Sequence, residues 1–204
     1  MPRAAGLAEP SLDIAPEDVL RAQCYRLLAR YLSSPPTGAD LAAGARLTGD
    51  DSDLGRAISA FARVCARSQA AAVAEEYQDL FVGLVRGEIV PYGSYYLTGF
   101  LHEKPLAKLR QDMSRLGVER EQDVAEPEDH IASLCEMMAG FIDGSLGRIL
   151  PLEEQKAFYA AHIGSWAPVL FRDMEAAKAS ILYATLGSVG RVFLDIEEGA
   201  FAMV

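Results

Sequence analysis

A chain of 204 residues can bury one substantial core, or two small lobes that share one. Half of its residues are hydrophobic and 24% are charged, the balance of a soluble globular protein. Its net charge of −10 excludes the basic face that nucleic-acid phosphates require, and suits a cationic partner instead.

The opening "MPRAAGLAEPSLDIA" has no apolar stretch of the secretory kind, and residues 1–14 read as a flexible N-terminus ahead of a domain at 15–204. "APEDVLRAQCYRLLARYLSSPP" predicts the first helix. Pro16 suits its first turn, Glu17 and Asp18 suit its positive end, and Pro35-Pro36 stops it. Further helices are expected at about 38–47, 53–67, 69–84, 104–116, 127–146, 152–163 and 165–186, with a last one near 188–198. The helix at 69–84 carries Val73, Tyr77, Leu80, Phe81 and Leu84 on one face and Glu75, Glu76 and Asp79 on the other. "VRGEIVPYGSYYLTGFLHEK" is too apolar for a mobile linker and too broken for a helix, so it reads as an ordered loop on the bundle. The polar stretch at 117–126 reads as a hinge between halves at 15–116 and 127–204. Alternating β-branched runs and Asn-Gly turns are missing. The fold class is therefore all-α, in a single domain.

"AEPEDHIASL" (125–134) gathers Glu126, Glu128, Asp129 and His130 around Pro127. One reading is a helix start, with Glu126 as N-cap, Pro127 at N1, and Glu128 and Asp129 at N2 and N3 against the orphan N–H groups. That reading suits Glu128 best. The other is a site: helical spacing places His130 on a face with Leu134, Met137, Met138 and Phe141, so Asp129 and His130 would stand where a polar helix end meets an apolar groove. A histidine there would make ligand affinity pH-sensitive near neutrality.

No phosphate-cradling loop, dinucleotide turn, nucleophile motif or Glu-x-x-His pair occurs, so neither a cofactor nor a metal is expected. His102 has no partner at ligand spacing, and His162 with Trp166 four residues on reads as a packing pair. Cys24, Cys65 and Cys135 are an odd number at no metal or redox spacing, as free thiols in a reducing cytoplasm would be. No uncharged apolar run is long enough to span a bilayer.

"EYQDLFVG" (76–83), "PYGSYY" (91–96) and "EPEDHI" (126–131), in this order, resemble the signature of the TorD/DmsD/NarJ-like family. "HIGSW" (162–166), Phe171 and "LYATLG" (182–187) are similar to the family's later helices, which extends the resemblance over about 18–198. The family consists of cytoplasmic chaperones for the maturation of molybdenum-containing redox enzymes. The resemblance implies a compact fold of about ten helices, sometimes domain-swapped into dimers; with the polar segment at 117–126 between two apolar halves, a monomer with a minor swapped dimer is expected. It also implies binding of the twin-arginine signal peptide and apoprotein of a molybdoenzyme catalytic subunit, without catalysis, before export.

Carried over by position, the resemblance puts signal-peptide binding on Tyr77, Phe81, Pro91, Tyr92, Ser94, Tyr95, Glu126, Asp129, His130 and Leu134. Of these, Tyr77 and Phe81, with Leu80, suit a plain core role better than direct contact, whereas Tyr92, Tyr95, Asp129 and His130, on a loop and a helix end, suit direct contact. Where many relatives carry a glutamate between Tyr and Ser, this chain has Gly93. The chemistry fits such a ligand. Two guanidinium groups want planar carboxylates, with Glu76, Asp79, Glu126 and Asp129 as candidates, and the apolar segment behind them wants a groove. The alternatives are a nucleotide- or molybdopterin-handling accessory protein and a small enzyme using Asp129 and His130 as an acid–base pair.

Overall fold

The computed structural model describes residues 14–83, 87–119, 126–178 and 180–203. Ten α-helices and no strand occur among them. The first four are α1 (Pro16–Ser33), α2 (Gly38–Gly44), α3 (Asp53–Cys65) and α4 (Ala70–Tyr77), which continues into a π-helical turn, Gln78–Val82. Then come α5 (Gly93–Thr98), α6 (Lys104–Leu116), α7 (Ile131–Asp143), α8 (Leu152–His162), α9 (Ala167–Ala176) and α10 (Leu182–Phe201).

Helix ends with local signals lie where those signals put them. Pro16 opens α1, and Ser34 is extended ahead of Pro35. Thr37 and Asp40 close a reciprocal capping box on α2, and the Ser52 hydroxyl accepts the Gly55 N–H at the start of α3 (3.0 Å). Gly117 (φ 75°) and Gly144 (φ 78°) end α6 and α7 in the left-handed conformation that glycine adopts without strain.

Helix α7 is the axis of the molecule. Ten of its thirteen residues are buried, among them Leu134, Met138, Phe141 and Ile142. Each such large side chain contributes about 1.5–3 kcal/mol of transfer free energy. Helix α1 lies along α7 and buries Ala22, Tyr25, Leu28, Ala29 and Leu32, while α3 and α9 pack on α10. A buried polar knot joins the two ends of the chain: Arg21 on α1 donates to both carboxylate oxygens of Glu197 on α10 (2.7 and 3.0 Å), and the Tyr25 hydroxyl donates to the same group (3.0 Å).

Four expected elements differ. Within the expected loop, residues 93–98 form α5. The helix expected at 69–84 changes to π register after Tyr77. The helix expected at 165–186 is broken after Ala176, and α10 runs unbroken through the expected gap at 187. The helix expected at 127–146 is Ile131–Asp143, so Glu126 is not its N-cap and Pro127 does not stand at N1. Residues 120–125 of the expected hinge, and 1–13 of the expected N-terminal arm, lie outside the described residues, as does Leu84.

Candidate functional site

The two short motifs that flank the middle of the chain lie against one another. Residues 91–94 run antiparallel to 129–131. Ile131 N–H donates to the Pro91 carbonyl (2.9 Å), Gly93 N–H to the Asp129 carbonyl (2.9 Å), and Ser94 N–H to Asp129 Oδ2 (2.7 Å). Tyr92 and His130 pair as an isolated β-bridge, with their rings edge to face at 4.9 Å. Asp129 therefore satisfies two of the orphan N–H groups in the first turn of α5.

His130 caps α7 in the same way. Its Nδ1 accepts the Ala132 N–H (3.1 Å), which requires that nitrogen to be unprotonated. Burial pushes its pKa down to about 4, against the smaller opposing pull of Glu126 and Asp129. The expectation of a histidine titrating near neutrality is thus corrected: enclosure, at 7% exposure, overrides the two nearby carboxylates. Glu128 is corrected as well. It does not sit in the first turn of α7 but forms a side-on ion pair with Arg110 of α6 (Nη2–Oε2 2.9 Å, Nε–Oε2 3.1 Å), joining α6 to the turn before α7.

Glu76 has a structural partner too. Its carboxylate accepts the N–H groups of Ile181 (2.8 Å), Leu182 (3.3 Å) and Tyr183 (2.9 Å), capping α10 from more than a hundred residues away. The carboxylate is thus committed to a helix end and not to a guanidinium ligand.

The predicted site residues divide into two layers. Pro91, Ser94, Asp129, His130 and Leu134 are buried. Tyr77, Phe81, Tyr92 and Tyr95 are half-buried, and Glu126 is exposed. Tyr77 and Phe81 lie 5.1 Å apart, and both rings rest on the buried Tyr183 (5.9 and 5.1 Å). The π turn sets this arrangement: Gly83 N–H donates back to Gln78 (2.6 Å), Gly83 takes φ 64°, and Ile89 N–H returns to the Leu80 carbonyl (2.8 Å). Leu80 points wholly into the core. The Tyr92 hydroxyl donates to Glu126 Oε2. Burial, and then the Glu126 charge, raises the phenol pKa of both Tyr77 and Tyr92, so one carboxylate acts on two rings. The outer layer is a half-exposed aromatic face with a carboxylate on it.

Behind α5, the indole of Trp166 occupies the place where a side chain at position 93 would begin: a Cβ there would come within 3.0 Å of Nε1. The indole N–H donates to the His162 carbonyl (2.7 Å), and Tyr96 packs on the ring at 5.4 Å. Gly93 is thus a close-approach glycine, and the glutamate expected from relatives has no room unless Trp166 shifts. The expected His162–Trp166 packing pair is instead joined through the backbone: the His162 ring packs on Phe158 (4.9 Å), the Trp166 ring on Tyr96, and His162 Nε2 bonds to Asp112 Oδ2 (2.8 Å). Arg110, Tyr183 and Trp166 were not singled out as parts of this region. The spacing of Arg110 to Leu109 and Met113 on α6 carries no sign of a partner eighteen residues on.

Among the described residues no group of His, Cys, Asp and Glu could hold a metal ion, and no helix is long and apolar enough to cross a membrane.

The same arrangement of helices is found in a redox enzyme maturation protein from Archaeoglobus fulgidus. The two superpose with a TM-score of 0.55 over 93% of this chain and 99% of that one, at 19% identity, a likeness of fold. The profile of the nitrate reductase delta subunit family matches residues 48–172, and the chain belongs to that family. Among curated relatives, the chaperone protein TorD of Vibrio cholerae serotype O1 is 30% identical over 130 residues, 60% of this chain and 59% of its own length. TorD of Vibrio vulnificus is 31% identical over 104 residues, 47% of this chain and 48% of its own. These relatives are named as chaperones, and the matched stretch spans less than two thirds of their length.

Proposed function

We propose that this protein is a cytoplasmic, non-catalytic chaperone of a molybdenum-containing redox enzyme. It binds the twin-arginine signal peptide of the apoenzyme's catalytic subunit and keeps the subunit from export until its cofactor is in place. The observation that carries this reading is the outer layer of the site: the half-buried rings of Tyr77, Phe81 and Tyr92, with the exposed Glu126 carboxylate bonded to Tyr92 and its charge felt at Tyr77. A guanidinium stacks on aromatic faces and takes a planar carboxylate edge-on, and the two components are offered here side by side. The inner layer gives this face its rigidity: Asp129, Ser94 and His130 position Tyr92 by backbone pairing and do not themselves meet solvent. The names of the relatives and the net charge of −10 point the same way.

Calorimetry tests it. A peptide with the Arg-Arg pair and the apolar stretch of such a leader binds the wild type, and GTP alone gives no heat. Glu126→Gln weakens peptide binding by about 1–3 kcal/mol, the scale of a lost charge-assisted bond, with an unchanged melting temperature. Binding of GTP without peptide would favour the nucleotide-handling alternative instead.

A further inference from the structure

Two buried oxygens beside α5 are bonded to no described residue: Asp129 Oδ1 and the Ser94 hydroxyl. Asp129 is 3% exposed and Ser94 is wholly enclosed, so bulk water does not reach them. The two residues are already joined, because Ser94 N–H donates to the other oxygen of the same carboxylate (2.7 Å). An enclosed polar group without a partner costs about 1–3 kcal/mol, and more when it is charged. Each oxygen therefore calls for a partner.

Asp129 lines a pocket of about 10 Å³ enclosed by α5, α6 and α8, roughly the least space that admits one water. Pro105 and Leu109 place the pocket at the start of α6, about 12 Å of helix away from Gly117. Leu97, Leu109, Leu134 and Ala161 form much of its wall and offer the carboxylate no donor. The polar groups of the wall are committed elsewhere. The Trp166 indole N–H donates to the His162 carbonyl (2.7 Å), and His162 Nε2 is bonded to Asp112 Oδ2 (2.8 Å). Arg110 feels the charge of Asp129, but its guanidinium lies on Glu128 (2.9 Å). The size of the pocket excludes a guanidinium, and a metal ion would require several oxygen ligands where the wall supplies one carboxylate.

We infer that this pocket is a binding site for a single water molecule, which donates to Asp129 Oδ1, accepts from the Ser94 hydroxyl and is a fixed part of the fold. The needs of the two oxygens match such a guest: a carboxylate only accepts, a hydroxyl can donate, and one water does the converse of both. The water adds a third link between the first turn of α5 and residues 129–131. The other two are the bonds from Gly93 N–H to the Asp129 carbonyl and from Ser94 N–H to Asp129 Oδ2. The site concerns how the ledge under Tyr92 is held and stands whether or not a leader binds above it.

The test is a crystal structure of the full chain at a resolution that shows ordered water, with water relaxation dispersion in solution to count long-lived waters. In the wild type one water lies within hydrogen-bond distance of both Asp129 Oδ1 and Ser94 Oγ. Ala161→Leu fills the pocket from a half-buried position on α8. It removes that water from the crystal and one long-lived water from the count, and it lowers the melting temperature, because the carboxylate oxygen is stranded. Ser94→Ala keeps the pocket but takes away one partner, so the water exchanges faster and the melting temperature falls less. An empty pocket in the wild type, a cation in it, or a direct bond from the Ser94 hydroxyl to Asp129 Oδ1 overturns the site. So does a melting temperature raised by Ala161→Leu, the mark of filling a dry apolar hole. The wild-type measurement decides by itself if Ala161→Leu does not fold.

Discussion

Asp129 and His130 have acceptors aimed at backbone N–H groups, one at the start of α5 and the other at the start of α7. Their substitution should therefore be felt first as lost stability. Asp129→Ala strips Ser94 N–H of its buried acceptor and should lower stability by about 1–3 kcal/mol, whereas Asp129→Asn, which keeps a carbonyl oxygen, should cost less; chemical denaturation of both variants measures this. For His130 the sign follows from its lowered pKa. The unfolded chain takes up the imidazole proton near pH 6.5 and the folded chain only near 4, so between these values unfolding binds protons and stability falls as pH falls. The loss would reach roughly 3 kcal/mol at the foot of that window, a ceiling set by the size of the shift. His130→Asn, which can still cap α7, should flatten the slope of stability between pH 6.5 and 4. An unchanged slope would place the acid sensitivity on other groups, such as His162, whose pKa burial also lowers.

Helix α10 begins without a capping side chain of its own, and the carboxylate of Glu76 takes that part. Glu76→Ala should destabilise the protein by about 1–3 kcal/mol and raise amide exchange in the first turn of α10, with Glu76→Gln intermediate. Equal exchange in all three proteins would remove Glu76 from this role. The same helix explains what the sequence could and could not reveal. Starts and stops written locally, as Pro16, Thr37 with Asp40, Ser52 and Gly117, were legible, because cap and helix are neighbours in the chain. The break before α10 and the late start of α7 were not. The first depends on a carboxylate 106 residues from Leu182, and the second on pairing between 91–94 and 129–131. Of the site, the residue list came from resemblance, but its layering did not. Asp129 and Glu126 look alike in sequence, and only the antiparallel pairing shows that one faces inward and the other outward.

At the scale of the whole molecule, the proposed cationic, amphipathic leader would meet two different forces, the attraction of a chain with net charge −10 and apolar contact with the aromatic face. Salt should weaken leader binding only in part: at about 1 M, where the Debye length is about 3 Å, the exposed carboxylates are screened and the apolar contact remains. Affinity measured across a salt series should level off, and a fall continuing to nothing would mean that charge alone holds the peptide.

On the proposed function, the aromatic face with Glu126 receives arginine as arginine, for its planar fork and stacking surface. A double-mutant cycle tests this most directly, pairing Glu126→Gln in the protein with replacement of the Arg-Arg pair by Lys-Lys in the leader peptide, all four affinities being measured by calorimetry. The two changes should not be additive: each alone weakens binding, and together they cost less than their sum by about 1 kcal/mol or more, because both remove the same guanidinium–carboxylate contact. Strict additivity, or a Lys-Lys peptide that binds the wild type as tightly as Arg-Arg, would contradict it.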